Sequence, residues 1–221
     1  MENDREPIQQ LTEIRDLMER SSRFISLSGL SGIASGVVAL AGSAIAFLCG
    51  YDQRYFTLAS YADIIGEFQN GHSWTPIFLD AMIILVLALF SAIWFTTRRA
   101  RKKGMKVWDS SARRLVINLL IPLAAGGILC LLLIYHRLYV FLAPITLLFY
   151  GLALIHASKY TLHEIRALGL AEIILGLLAA WLPGYGLLFW ATGFGVMHIV
   201  YGLVMYSRYD LKRDKGLGTR D

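Results

Sequence analysis

Two ionisable residues of this 221-residue chain, Glu172 and His198, lie inside long apolar runs. Glu172 is about five residues into the run 168–182, and His198 about eight from the end of the run 186–206. At helical rise that is roughly 8 and 12 Å deep. Ionisable groups in hydrocarbon are costly, and they mark proton relays, ligand sites or helix-tying hydrogen bonds. The two runs are neighbours joined by Trp181-Leu182-Pro183-Gly184, a turn signal, so the two side chains can meet across a tight hairpin. A carboxyl and an imidazole in contact can share one proton, which makes Glu172 and His198 a candidate proton or pH site. The competing use is a structural hydrogen bond between two helices.

Other polar residues offer less. Asp80 lies four residues after Pro76, near a helix start where the dipole favours an anion. His156, His163 and Glu164 fall together at one end of a run, but a metal site needs three or four converging ligands and no cysteine is near. Cys49 and Cys130 read as packed free thiols. No Walker loop, dinucleotide fingerprint, His-Glu-x-x-His pair or Ser-His-Asp order occurs, so no catalytic residue, metal or cofactor is assigned. An enzyme is the weaker reading; the version kept open is a lipid-modifying one using His156, His163 and Glu164.

The elements that must hold these residues follow from hydropathy. The chain is 56% hydrophobic and 17% charged, with mean hydropathy +0.54, and the excess is concentrated in charge-free runs. A soluble domain is nearer half apolar and a quarter charged, so a soluble fold is excluded, as is disorder. Six runs near twenty residues qualify as spans: 27–49, 77–96, 115–135, 138–157, 168–182 and 186–206. All but Arg54 and Arg137 of the 21 lysines and arginines then fall on one side. By the positive-inside rule, both termini and the 97–114 loop are cytoplasmic, which places the chain in the inner (plasma) membrane. The cluster Arg98, Arg99, Arg101, Lys102, Lys103, Lys106, Arg113 and Arg114 is then a contact for anionic lipid, not for nucleic acid.

Outside the spans, residues 1–26 read as a cytoplasmic amphipathic helix, with Ile8, Leu11, Ile14, Leu17 and Met18 at helical spacing. The outer loop 50–76 holds a second, beginning at Ser60-Tyr61-Ala62-Asp63 and ending at Asn70-Gly71. Residues 207–221 form a basic cytoplasmic tail.

The runs also repeat. Gly29-Leu30-Ser31-Gly32-Ile33-Ala34-Ser35-Gly36 matches Gly169-Leu170-Ala171-Glu172-Ile173-Ile174-Leu175-Gly176, and Tyr150-Gly151 matches Tyr201-Gly202. The expected architecture is all-α: six transmembrane helices arranged as three helical hairpins, spanning 27–206. Small residues let helix backbones touch in lipid, so Ser28, Gly32, Gly36, Gly169, Gly176, Gly195 and Gly202 are read as packing positions. A homo-oligomer seam along the first span is the sharper alternative to packing within the chain.

The segment 168–206, with Gly169, Ile173-Ile174-Leu175-Gly176, Pro183-Gly184, Gly195 and Tyr201-Gly202, resembles the short repeat of the HdeD-type acid-resistance membrane proteins. The resemblance implies a stress-associated inner-membrane protein of structural or regulatory type and offers no catalytic residues. The alternative function is a small transporter or channel with Glu172 and His198 on its path. Pro122, Pro144 and Gly126-Gly127 are the expected helix breaks.

Overall fold

The computed structural model describes residues 28–49, 75–102, 104, 107–136, 138–162 and 164–211. The N-terminal and outer-loop amphipathic helices, and all of the tail beyond 211, lie outside them. The described residues are almost all helical, and none of them is in a strand. Helix α1 is Gly29–Cys49, α2 is Thr75–Lys102, α3 is Ser110–Tyr135, α4 is Leu142–Ala157 and α5 is Glu164–Trp181. A last rod runs through α6 (Gly186–Trp190), a π-helical turn (Ala191–Met197), α7 (His198–Met205) and a second π segment (Tyr206–Leu211). Five elements are long and apolar enough to cross a membrane: α1, α2, α3, α4 with its flanking turns, and the rod. The remaining helix, α5, has eighteen residues and carries Glu164, Arg166 and Glu172.

Local chemistry sets the helix ends. Asp109 caps α3 by accepting the Ala112 N–H at 2.7 Å, a contact of about 1 kcal/mol. Arg99, Arg101 and Lys102 fill the last turn of α2, where the dipole favours cations. Gly104 follows in the left-handed region at φ 62°, its N–H on the Arg101 carbonyl. Asp80 lies beyond the first turn of α2, which begins at Thr75, and its carboxylate faces Gly42 of α1. The helix-dipole role expected for it is therefore weak, because the dipole acts within the first turn.

The neighbours run in the order α2, α1, rod, α5, α4, α3. Only the four inner members are flanked by protein on both sides. In α2 and α3, Leu79, Ile83, Phe90, Ile121, Ile128 and Leu131 are exposed, the surface that lipid covers. Tyr135 and Trp181, 80% and 82% exposed, end α3 and α5.

Two crossings in this row are built alike. Where α4 meets α5, a Cβ at Gly151 would fall 2.6 Å from the Gly169 carbonyl oxygen and 2.9 Å from the Ile173 nitrogen. Where the rod meets α1, a Cβ at Gly202 would fall 2.7 Å from the Gly29 carbonyl oxygen and 2.5 Å from the Ile33 nitrogen. About two turns on from Gly169 and Gly29, Gly176 lies against Leu148 and the Pro144 carbonyl, while Gly36 lies against Ile199 and the Gly195 carbonyl. The offsets along each helix are the same in the two crossings. Both depend on backbone-to-backbone approach that any side chain would prevent.

This geometry also decides the use of the first span. Its Gly29, Gly32 and Gly36 face the rod. A second row of small residues, Ser31, Ser35, Ala39 and Ser43, is buried or half-buried, and the Ser35 hydroxyl lies 3.1 Å from that of Ser91 of α2 and 3.3 Å from the Ala88 carbonyl. Both rows are occupied within one chain, so the surface on which a homo-oligomer seam was expected is already covered.

Candidate functional site

Glu172 projects from the middle of α5 toward the π turn of the rod and is 0% exposed. The π turn arises from Ala191-Thr192-Gly193-Phe194-Gly195-Val196-Met197. Two glycines two residues apart weaken the α-helical preference, by about 1 kcal/mol each relative to alanine. The Thr192 hydroxyl also bonds back to the Leu188 carbonyl at 2.8 Å, a contact that bends helices. Pro122 and Pro144 break nothing: Pro122 lies within an uninterrupted α3, and Pro144 is in the first turn of α4. The interruption expected at those prolines falls at the two glycines of the rod.

His198 begins α7 directly after this turn. Its backbone N–H bonds the Gly195 carbonyl, while its ring Nδ1 lies 3.0 Å from the Gly193 carbonyl oxygen. A carbonyl can only accept, so Nδ1 carries a proton and donates it. In the neutral ring Nε2 is then an acceptor, and it takes the Tyr150 hydroxyl at 2.7 Å. Aromatic faces fix the ring further: His198 stacks on Tyr150 at 5.4 Å and on Phe194 at 5.9 Å. Phe194 in turn meets Trp190 at 4.8 Å.

The Glu172 Oε1 atom lies 3.5 Å from His198 Nδ1, and neither carboxyl oxygen has a hydrogen-bond partner. The other oxygen, Oε2, presses on Gly193, where a methyl group would collide with it and would also lie 2.6 Å from Leu147 Cδ2. The carboxyl group thus occupies the space that a side chain at Gly193 would take. A buried polar group without a partner costs about 1–3 kcal/mol, more when charged. An ionised Glu172 would need a donor, and His198 Nδ1 is the N–H facing it.

The two like crossings put this site in perspective. Glu172 is three residues beyond Gly169, and the same offset from Gly29 is Gly32. His198 is four residues before Gly202, and the same offset from Gly151 is Leu147, fully buried. One crossing thus carries Glu172 with Leu147 and the other carries Gly32 with His198, so neither the acid nor the imidazole is common to both crossings.

The remaining sequence candidates are dispersed. His156 is exposed on α4, and His163 lies outside the described residues. Glu164 forms an ion pair with Arg208 at 3.0 Å, joining the start of α5 to the second π segment. The Arg208 side chain is 62% exposed, so Arg208→Ala should lower stability by less than about 1 kcal/mol in a salt-dependent way, measured by unfolding in detergent at two ionic strengths. Among the described residues no group of three or more His, Cys, Asp or Glu converges as for a metal ion. Cys130 is a half-buried free thiol, and the Cys49 side chain is outside the described residues. Of the basic cluster, Arg98, Arg101, Lys102, Arg113 and Arg114 are exposed, whereas Arg99 is buried; Lys103 and Lys106 lie outside the described residues.

Sequence reasoning pointed to Glu172 and His198 but passed over Tyr150, Gly193 and Phe194 as parts of the same site. The spacing of Trp190, Phe194 and His198, four apart on one helix face, was the available signal for Phe194. Tyr150 carried none beyond the repeated Tyr-Gly. Comparison with protein-family models, curated proteins and solved structures gave no match to this chain.

Proposed function

We propose that the chain is a six-span inner-membrane protein of structural or regulatory type, with cytoplasmic termini, whose bundle holds a proton at Glu172 beside His198. The observation that carries this reading is the carboxyl group of Glu172, fully buried, without a donor, and 3.5 Å from His198 Nδ1. Leaving such a group unpartnered is costly, and the α1–rod crossing has Gly32 at the position that Glu172 takes in the α4–α5 crossing. A residue kept at a cost in stability, in a place where packing does not need it, is accounted for by the proton it can bind.

The sixth span in this reading is α5. Its eighteen residues reach about 27 Å, close to a hydrocarbon core of about 30 Å, with Glu164 and Arg166 at its inner edge. The three hairpins are α1 with α2, α3 with α4, and α5 with the rod. Cytoplasmic placement of the 97–114 loop is supported by Arg113 and Arg114, which are exposed in the first turn of α3. Cations there oppose the helix dipole, so helix stability does not explain them, whereas anionic lipid does. The resemblance of 168–206 to the HdeD type agrees with an acid-linked role.

The test is infrared difference spectroscopy of the purified protein across a pH series. A carboxylic-acid C=O band that is lost on titration and absent in Glu172→Gln is the expected result. A spectrum unchanged by Glu172→Gln at every pH would defeat the reading. Because glutamine keeps the shape and brings its own donor, Glu172→Gln should leave thermal stability within about 1 kcal/mol of wild type or raise it.

A second reading, a small proton-linked transporter, is favoured by one feature. The π turn interrupts a membrane helix opposite the buried acid, as broken helices do at transporter sites. Flux into liposomes that depends on a pH gradient and is abolished by Glu172→Gln would select it.

A further inference from the structure

The π turn at Ala191–Met197 and the Glu172 carboxyl compete for one hydrogen. His198 Nδ1 has a single N–H, and two acceptors face it: the Gly193 carbonyl at 3.0 Å and Glu172 Oε1 at 3.5 Å. In the described geometry the carbonyl holds it. Closing the Glu172 distance to an ordinary charge-assisted hydrogen bond takes a shift of about 0.6–0.8 Å. π turns carry one residue more than the α ladder accommodates and recur at functional sites.

The two halves of the rod are not held alike. Below the turn, Gly195, Ile199 and Gly202 lock onto α1 by backbone contact. Above it, α6 packs on α5 and α4. It follows the irregular turn Pro183–Tyr185, which can take up slack. The ionisable groups around Glu172 are few. His198 and Tyr201 come from the rod and Tyr150 from α4, the two tyrosines packing on Leu154, Ile165 and Leu168. Over 29–48, α1 has no ionisable side chain.

We infer that the π turn is a register switch operated from Glu172: the neutral acid leaves the His198 N–H on the Gly193 carbonyl and keeps the π register, and the carboxylate withdraws that N–H and lets the outer segment rewind into α register. Rewinding removes the extra residue and turns α6 by about 100° on the helix axis, since that is the rotation of one α residue. The inner half stays fixed on α1. This rests on the reading of Glu172 as a proton site, and it adds what the proton does.

The experiment places single spin labels at 186–190 and, as a fixed reference, at Val200, Leu203 and Val204, in full-length protein in liposomes. Oxygen accessibility and the Glu172 acid band are recorded on the same samples across the pH series. The expected result is a phase shift of about 100° in the accessibility pattern of 186–190 as the acid band disappears, with the reference positions unchanged. In E172Q the pattern should stay in the π phase at every pH. If the band titrates while the 186–190 pattern stays fixed, the switch is overturned and the proton site stands. If the band does not titrate, both fall. Should E172Q fail to fold, E172D, which retains a carboxyl group, supplies the band assignment through its displaced frequency.

Discussion

Gly202→Val should separate the rod from α1 and destabilise the protein by about 3 kcal/mol, the upper end of the usual cost of overpacking. The added Cβ would lie 2.5 Å from the Ile33 nitrogen and 2.7 Å from the Gly29 carbonyl oxygen. Both are backbone atoms of a helix, so no rotamer change relieves the clash. Gly151→Val should cost a similar amount, because its Cβ meets the Gly169 oxygen and the Ile173 nitrogen in the same arrangement. Gly127 provides the control: a Cβ there meets nothing, so Gly127→Ala should be neutral or stabilising by up to about 1 kcal/mol. The measurement is denaturant unfolding in mixed micelles. Equal midpoints for Gly202→Val and Gly127→Ala would mean that the two backbones do not touch.

The second large effect is expected at His198. Replacing it with leucine keeps the volume close and reproduces the residue found at the matching position, Leu147. It nevertheless strips the Tyr150 hydroxyl and the Gly193 carbonyl of their partners. Orphaned buried groups cost about 1–3 kcal/mol each in soluble proteins, and hydrogen bonds between membrane helices run lower, so a total near 2 kcal/mol is expected. The diagnostic is the cycle with Tyr150→Phe, in which the phenylalanine variant should cost less on the leucine background than on wild type. The coupling should be about 0.6–1.7 kcal/mol, the range seen between membrane helices. Additive costs would show that the 2.7 Å contact contributes nothing to stability.

Much of the frame was legible because hydropathy alone forces it. Over the described residues, the apolar runs 27–49, 77–96 and 115–135 fall within helices at 29–49, 75–102 and 110–135, apart from Ser28. The extensions beyond them are polar turns such as Arg98 to Lys102, which composition cannot mark as helical. The Gly29 to Gly36 and Gly169 to Gly176 match was also visible, since close approach in lipid needs glycine whatever the partner. What the sequence did not disclose is which helix each row meets. Gly29 faces Gly202, on a helix remote in the chain, and no local pattern encodes that choice. The π turn was missed for a related reason. Prolines announce a break by lacking an N–H, but Gly193 and Gly195 only permit one, and the Gly193 carbonyl finds its partner in the side chain of His198.

The position of the rod has a consequence for biosynthesis. Chains emerge N-terminus first at about 5–20 residues per second. The glycine face of α1 leaves the ribosome well before its partner at Gly195, Ile199 and Gly202, with three other described helices made in between besides α2. For that interval of roughly 8–35 s, at the same elongation rate, α2 is the main neighbour of α1 among the described helices. A chain truncated before the rod would strand α1 and α2 with an open backbone seam, the state most exposed to membrane quality control. Synthesis of the rod, rather than insertion of α1 itself, is then the event that closes this seam.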